Sequence, residues 1–506
     1  MRTGLLVFTF PSKAMERFRG WLLLAALCGS AAGCSGGGVP PSVVTAPAAV
    51  PAATEPAAPA DFSLADLEER TFRFFWETTN PANGLVPDRY PTPSFSSIAA
   101  VGFGLTAYPI GVERGWITRT QARDRALATL RFFRNAPQGP QRTGVTGHQG
   151  FFYHFLDMQT GLRFGKVELS TIDTTLLLGG VLFVQSYFDG IDPGEAEIRK
   201  LADEIYRGVN WRWAQARPPV VSMGWHPEKG FLEAEWYGYN EAMLLYVLAL
   251  ASPTHPVQPD AWQAWVSTYH QDWGTLYGQE HLTFAPLFGH HYSHAWIDFR
   301  GIQDEYMRAR NLDYAENTKR ATYAQQAYAK ANPGRWKGYS ENVWGLTACD
   351  GPVDAQLRYA GELRQFRSYS ARGVGKRYTF DDGTIAPSAA AGSLPFAPEI
   401  ALPALREINR LHGEHVYGQY GFLGSFNPSF AYRGKLAGGR VIPGVGWVAG
   451  DWLGIDQGII LLMLENHRSE MVWRVMRDNP YIRLGLERAG FSGGWLDEGT
   501  SEGKGN

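Results

Sequence analysis

The chain has 506 residues, 44% of them hydrophobic, enough to bury one large core or two moderate ones. Its 47 Lys and Arg nearly balance 49 Asp and Glu, and without a basic stripe this composition excludes a nucleic-acid partner. Three cysteines, Cys28, Cys34 and Cys349, exclude a disulfide framework once the first is lost with a leader.

At the N-terminus Arg17 and Arg19 precede the apolar run WLLLAALCGSAAG, then Cys34 and SGGG. A charged region, a short apolar region and small residues before a cysteine read as a lipoprotein-type signal peptide over residues 1–34. Ala31, Ala32, Gly33 and Cys34 resemble a bacterial lipobox, in which the cysteine is lipidated. The run is too short to span a bilayer permanently, and Met15 is an alternative start to Met1. Residues 35–61 are Ala, Pro, Gly, Val, Thr and Ser with almost no charge, the composition of a semi-extended tether. The expectation is a protein anchored by lipid in the periplasm of a Gram-negative bacterium, at the outer membrane because Ser35 follows Cys34. Residues 62–497 then form the folded domain and 498–506 a flexible tail.

Within the domain, amphipathic and all-apolar segments alternate. Ser63 caps LADLEERTFRFFWETT, whose Leu64, Leu67, Phe72, Phe75 and Trp76 make one stripe. IAAVGFGLTAYPIGVERG is apolar on all sides, as an enclosed helix must be. TRTQARDRALATLRFFRN is amphipathic, the helix from near Thr171 is buried, and PGEAEIRKLADEIYRGVNWRW is amphipathic again. A buried helix follows from Tyr239, then amphipathic PDAWQAWVSTYHQDW, enclosed HHYSHAWIDFR and half-polar DYAENTKRATYAQQAYAKA. TIAPSAAAGSLPF, amphipathic PEIALPALREINRLHG and a buried helix over Leu453 to Glu465 complete the series. About six outer and inner pairs predict an all-α fold, an (α/α)6 double-ring barrel. FFYHFLDMQTGLRF and the segment before Trp236 predict short β-hairpins at its mouth.

Three buried helices start with an acid. Asp173 lies in the first turn of its helix, Glu241 is expected in the first turn of another, and Asp451 and Asp456 flank the start of a third. If these helices run parallel, the acids meet at one end. Two carboxyl groups across a sugar-sized gap are the machinery of glycoside hydrolysis, and an aromatic content of 13% with 17 Trp suits both core packing and sugar stacking. Taken singly, each acid is also an ordinary helix cap. The helix dipole favours an ionised Glu241, while burial among Trp236, Tyr237 and Tyr239 opposes it. His290, His291 and His294 lack the H-E-x-x-H order of a zinc helix, so substrate bonding or core packing is the expectation and no metal is assigned. GVGK at Gly373 lacks the Walker spacing.

The runs FFWETTNPANGLVPDRY, GFFYHFLDMQTGLR, STIDTTLLLGG, WYGYNEAMLLYVLAL, HHYSHAWIDFRG, DDGTIAPSAAAGSLPFAPEIALPALR and GDWLGIDQGIILLMLEN together resemble the bacterial glucoamylase-like domain that includes glycoside hydrolase family 144, the endo-β-1,2-glucanases. The resemblance covers about Leu64 to Trp495. It implies an (α/α)6 barrel, an inverting mechanism without metal or cofactor, and β-1,2-glucan cut to sophorose and short oligosaccharides. It implies Glu241 as general acid, Asp456 or its rival Asp451 as acidic partner, and Asp173 as a further acid of the cleft. Trp225, Trp236, Tyr239, His291, His294 and Trp447 are the expected substrate contacts, and a monomer is expected. Some relatives are exo-acting and release sophorose. Two other classes stay open: an (α/α)6 polysaccharide lyase with His291 or Tyr292 as base, and a non-catalytic glycan-binding lipoprotein.

Overall fold

Which helices lie inside follows from the width of their apolar faces. In the computed structural model, which describes residues 62–498, the main helices are α1 (Leu64–Thr78), α2 (Ile98–Glu113), α3 (Arg119–Asn135), α4 (Thr171–Tyr187), α5 (Pro193–Arg207) and α6 (Met243–Ala251). They continue with α7 (Phe288–His291), α8 (Tyr314–Ala331), α9 (Pro387–Gly392), α10 (Pro398–Val416), α11 (Gly454–Ser469) and α12 (Pro480–Arg488). Every residue of α6 and α9 is buried, as is α2 through Gly111. α1, α3, α5 and α10 bury one stripe each and leave charge outside. The signal, tether and Cys34, like residues 499–506, lie outside the described residues. No helix among the described residues is long and apolar enough to cross a membrane.

The inner helices pack side by side: α11 on α2, α2 on α4, α4 on α6, and α9 on α11. The α2/α4 approach is set by glycine. A Cβ on Gly102 would lie 2.1 Å from the Leu176 carbonyl oxygen, and one on Gly180 2.1 Å from that of Gly102, so any side chain there forces the helices apart. Outer helices cover these seams, α1 against α2 and α11, α5 against α4, α10 against α9.

Three inner helices are each preceded by a two-residue strand that pairs with a loop from elsewhere. Ser96 and Ser97, before α2, pair with Leu156 and Phe155. Leu169 and Ser170, before α4, pair with Trp225 and Gly224, and Trp452 and Leu453, before α11, pair with Tyr90 and Arg89. The hydroxyls of Ser97 and Ser170 accept from the amides of Ala100 and Asp173, satisfying donors that a helix start leaves open. These pairings tie the N-terminal ends of α2, α4 and α11 to loops from elsewhere in the chain.

Several expectations shift. α6 begins at Met243 with Ala242 as an uncapped N-cap, so Glu241 sits on the turn before the helix and not in its first turn. The Asn240 side chain explains this: its Oδ1 accepts from the Ala242 amide at 3.0 Å and holds the turn. The segment around His290 makes only one α turn and one 3-10 turn. The expected helix over 259–273 is broken into Ala261–Val266 and Tyr269–Asp272, and α12 packs on α6, close enough that a Cβ on Gly485 would meet the Val247 oxygen at 2.1 Å. A five-rung hairpin pairs Ala355–Tyr359 with Glu362–Phe366. Its turn residues Ala360 and Gly361 have φ of 49° and 86°, the left-handed geometry of tight hairpins.

Candidate active site

Asp456 stands in the first turn of α11 at 3% exposure. Its Oδ1 accepts from the Ser388 hydroxyl on α9 at 3.2 Å, and its Oδ2 is buried without a hydrogen-bond partner. Glu241 is 4% exposed and its Oε2 is likewise unpartnered. Unsatisfied buried carboxyl oxygens are costly and mark groups kept for a ligand or a reaction. Burial is the main cause that pushes both up to about 8. For Glu241 the charge of Asp173 adds to it. For Asp456 the Ser388 bond and Arg89 oppose burial, while Asp350 and Asp88 reinforce it.

Tyr292 ties these acids to one place. Its hydroxyl is pushed well up, first by burial and then by the charges of Asp456, Tyr369, Glu241 and Asp173. Charges act strongly over only short distances in a protein, so carboxyls from α4, from the turn before α6 and from α11 that all act on one hydroxyl share one end of the helix assembly. Asp173 lies in the first turn of α4, accepts from the Ser170 hydroxyl, and has an oxygen 3.5 Å from His154 Nε2.

Asp451 plays a different part. Its two oxygens accept from the Thr92 amide at 2.9 Å and the Thr92 hydroxyl at 3.0 Å, so it holds the 90–92 loop. Arg89 is the cation of the site: it donates to Asp350 at 2.9 Å and Asp88 at 3.2 Å, and lies 3.9 Å from Asp451. Arg89, Asp88, Asp350, His154, Glu168 and Tyr369 were not singled out by sequence reasoning. Asp88 and Arg89 sit in VPDRY and His154 in FFYHFL, polar residues inside aromatic loop runs, a signal too common to select them by itself.

The expected sugar contacts divide. Trp225 is partly exposed and borders His148 at 5.0 Å between ring centres. Trp236 is 2% exposed with its indole N–H donating to Thr171 at 3.0 Å, and Trp447 is 1% exposed and donates to the Gly438 carbonyl. Tyr239 meets His290 Nδ1 at 3.1 Å between Tyr269 and Tyr314. His291 and His294 are 1% exposed, paired with Ser393 and Thr318, and burial pushes each down to about 3. All five are buried, each with a polar atom engaged inside the protein. Tyr90 and Phe164 are each 37% exposed, and the Phe95 ring lies between those of Phe155 and Phe164. Trp447→Phe is therefore expected to lower the thermal midpoint, through loss of a bond worth about 1 kcal/mol, and to leave KM unchanged. A several-fold rise in KM without destabilisation contradicts this placement.

The same burial removes the bases of a lyase. His291 is buried against Ser393, and burial, with the nearby acids adding to it, pushes the Tyr292 hydroxyl well up.

Known proteins carry a similar chain. Residues 233–480 match the family model described as "Putative glucoamylase". An exo β-1,2-glucooligosaccharide sophorohydrolase (non-reducing end) of Parabacteroides distasonis is 29% identical over 462 residues. That match takes in 85% of this chain, and the chain spans 58% of that protein's length. The endo-β-1,2-glucanase of Chitinophaga pinensis, solved with sophorotriose and glucose, superposes with a TM-score of 0.72 at 26% identity, over 86% of this chain and 100% of that one. A β-1,2-glucanase from Parabacteroides distasonis gives 0.71 at 27% identity, over 84% of this chain and 59% of that one. The chain is thus similar both to the proteins described by that glucoamylase model and to β-1,2-glucan hydrolases.

Proposed function

We propose that the chain hydrolyses β-1,2-glucan with inversion, Glu241 giving its proton to the glycosidic oxygen and Asp456 activating water through its free Oδ2. The observation that carries this reading is the pair of buried carboxyls from separate elements, each with an unpartnered oxygen, at one pole of a glucoamylase-like fold. Burial raises both carboxyls to about 8; Asp173 adds to that rise at Glu241, whereas Ser388 and Arg89 oppose it at Asp456, and the roles are assigned on that difference. Arg89 also pairs with Asp350 and Asp88, the charges that push Asp456 the other way. Asp451 serves by fixing the 90–92 loop, and Trp225 with Tyr90 and Phe164 offers stacking surfaces.

The helices are read as an (α/α)6 double ring: α2, α4, α6, α7, α9 and α11 inside, with the hairpins at its mouth. Support comes from the neighbour order above and from Ser293, just after α7, which accepts from the Leu244 amide of α6 at 3.0 Å and so joins α6 to α7. Further parts of the proposal are a monomer, lipidated at Cys34 and held in the periplasm at the outer membrane.

Endo cleavage is the main reading, and exo release of sophorose is the second, favoured by the name of the 29% identical relative. A time course of product lengths from long linear β-1,2-glucan tests both. A ladder of oligosaccharides supports endo attack, disaccharide alone from the first minutes supports exo attack, and unaltered glucan refutes hydrolysis. The pH profile follows from the same carboxyls. kcat/KM is expected to fall as pH rises through about 8, where Glu241 loses the proton it must donate. Arg89→Met removes a charge that lowers Asp456, so the acidic limb is expected to move to higher pH; an unmoved limb contradicts the base assignment.

A further inference from the structure

His154 lies between carboxylates that come from different parts of the chain. Its Nδ1 is 2.8 Å from Glu168 Oε1 and its Nε2 3.5 Å from Asp173 Oδ1. The backbone is engaged as well: the His154 amide donates to the Glu168 carbonyl at 3.0 Å, and its own carbonyl accepts from Ile98, the first residue of α2, at 3.3 Å. Its ring stacks on Phe155 with centres 3.9 Å apart. The imidazole is thus held between Glu168 and Asp173 with one face against Phe155. Glu168 is 7% exposed, so it is a buried orienting partner of the kind that sets which ring nitrogen faces the next group.

We infer that His154 is a positioning residue: clamped by Glu168, it aims the Asp173 carboxyl whose charge acts on Glu241. Burial pushes Asp173 up, and His154 opposes that rise. The groups facing His154 are Glu168, Asp173 on α4 and, from the loop before Arg89, Asp88, and all three are acids that favour the imidazolium. Burial alone opposes them, and the outcome is a histidine pushed up to about 9. The inference rests on the hydrolase reading for its catalytic consequence and on geometry alone for the His154–Asp173 coupling.

The experiment has two arms on the full chain. Histidine-selective 15N NMR follows the titration of His154 in wild type, Asp173→Asn and Glu168→Gln. Each substitution is expected to lower its midpoint, and an unchanged midpoint in Asp173→Asn overturns the inference whether or not the protein cleaves glucan. In the second arm kcat and KM for β-1,2-glucan are measured against pH for His154→Gln and His154→Lys. The glutamine variant loses the cation, Asp173 takes up a proton, and Glu241 is no longer held up. Its alkaline limb is expected to move to lower pH with kcat down on the order of tenfold, KM nearly constant, and partial return in His154→Lys. Limbs that stay in place, or an even loss at every pH together with a lower thermal midpoint, overturn it. A wild-type protein that leaves glucan intact refutes the hydrolase reading, and the NMR arm still decides the coupling.

Discussion

Glu241→Gln is expected to lower kcat on β-1,2-glucan by about 10³-fold, with KM changed little, because general acid catalysis contributes on the order of 10²–10⁴ and the amide has no proton of suitable acidity to give. The same substitution is expected to stabilise the fold. The Glu241 carboxyl is raised from 4.5 to about 8 in the folded chain, so between these values the folded state holds a proton that the unfolded state has released. Stability then falls as pH rises through that window and is lowest above it, where an ionised group is buried. Glutamine carries no such charge. The gain in thermal midpoint of Glu241→Gln over wild type is therefore expected to be small at pH 4 and to grow by pH 9. Loss of activity without this pH-dependent gain indicates that the side chain is not buried as described.

The second large effect is structural. Arg372 and Asp382 are both fully buried and paired through two bonds, 2.7 and 2.8 Å long. The same guanidinium donates to the carbonyls of Cys349 at 2.7 Å and Arg367 at 2.9 Å. Those residues lead directly into Asp350 and Tyr369, and the strands Ala348–Cys349 and Ser370–Ala371 pair beside them. One arginine thus anchors the loops that bring the Arg89 partner and Tyr369 to the cleft. Arg372→Met leaves Asp382 buried without its cation and is expected to cost about 3–5 kcal/mol of stability, read as a lowered denaturant midpoint. Arg372→Met with Asp382→Asn is expected to recover part of that stability but not kcat, since the carbonyls remain unheld. A single variant within 1 kcal/mol of wild type contradicts the anchoring role.

The readable part of the sequence was the part governed by periodicity. Apolar width distinguished α2, α4 and α11 as inner helices, and the same pattern put Asp173 and Asp456 at their starts. Glu241 was expected in the first turn of α6 and lies just before it, because the Asn240 turn that delays α6 is a local side-chain bond with no periodic trace. The aromatic residues are hard to read for a different reason. Trp236, Tyr239 and Trp447 carry the same composition as a sugar platform, yet their polar ends find partners inside, at Thr171, His290 and Gly438. Amphipathic aromatics fit both settings, and only packing separates them. Arg89, His154 and Asp350 matter through pairs far apart in the chain, such as Arg89 with Asp350 and His154 with Asp173. Such pairs are products of the fold and leave no spacing to read.

Release of new reducing ends from purified linear β-1,2-glucan, measured side by side for the wild-type chain and Glu241→Gln at pH 7, tests the account most directly. Steady release by the wild type with none above background for Glu241→Gln is the predicted result. Intact glucan in both, or equal release in both, contradicts it.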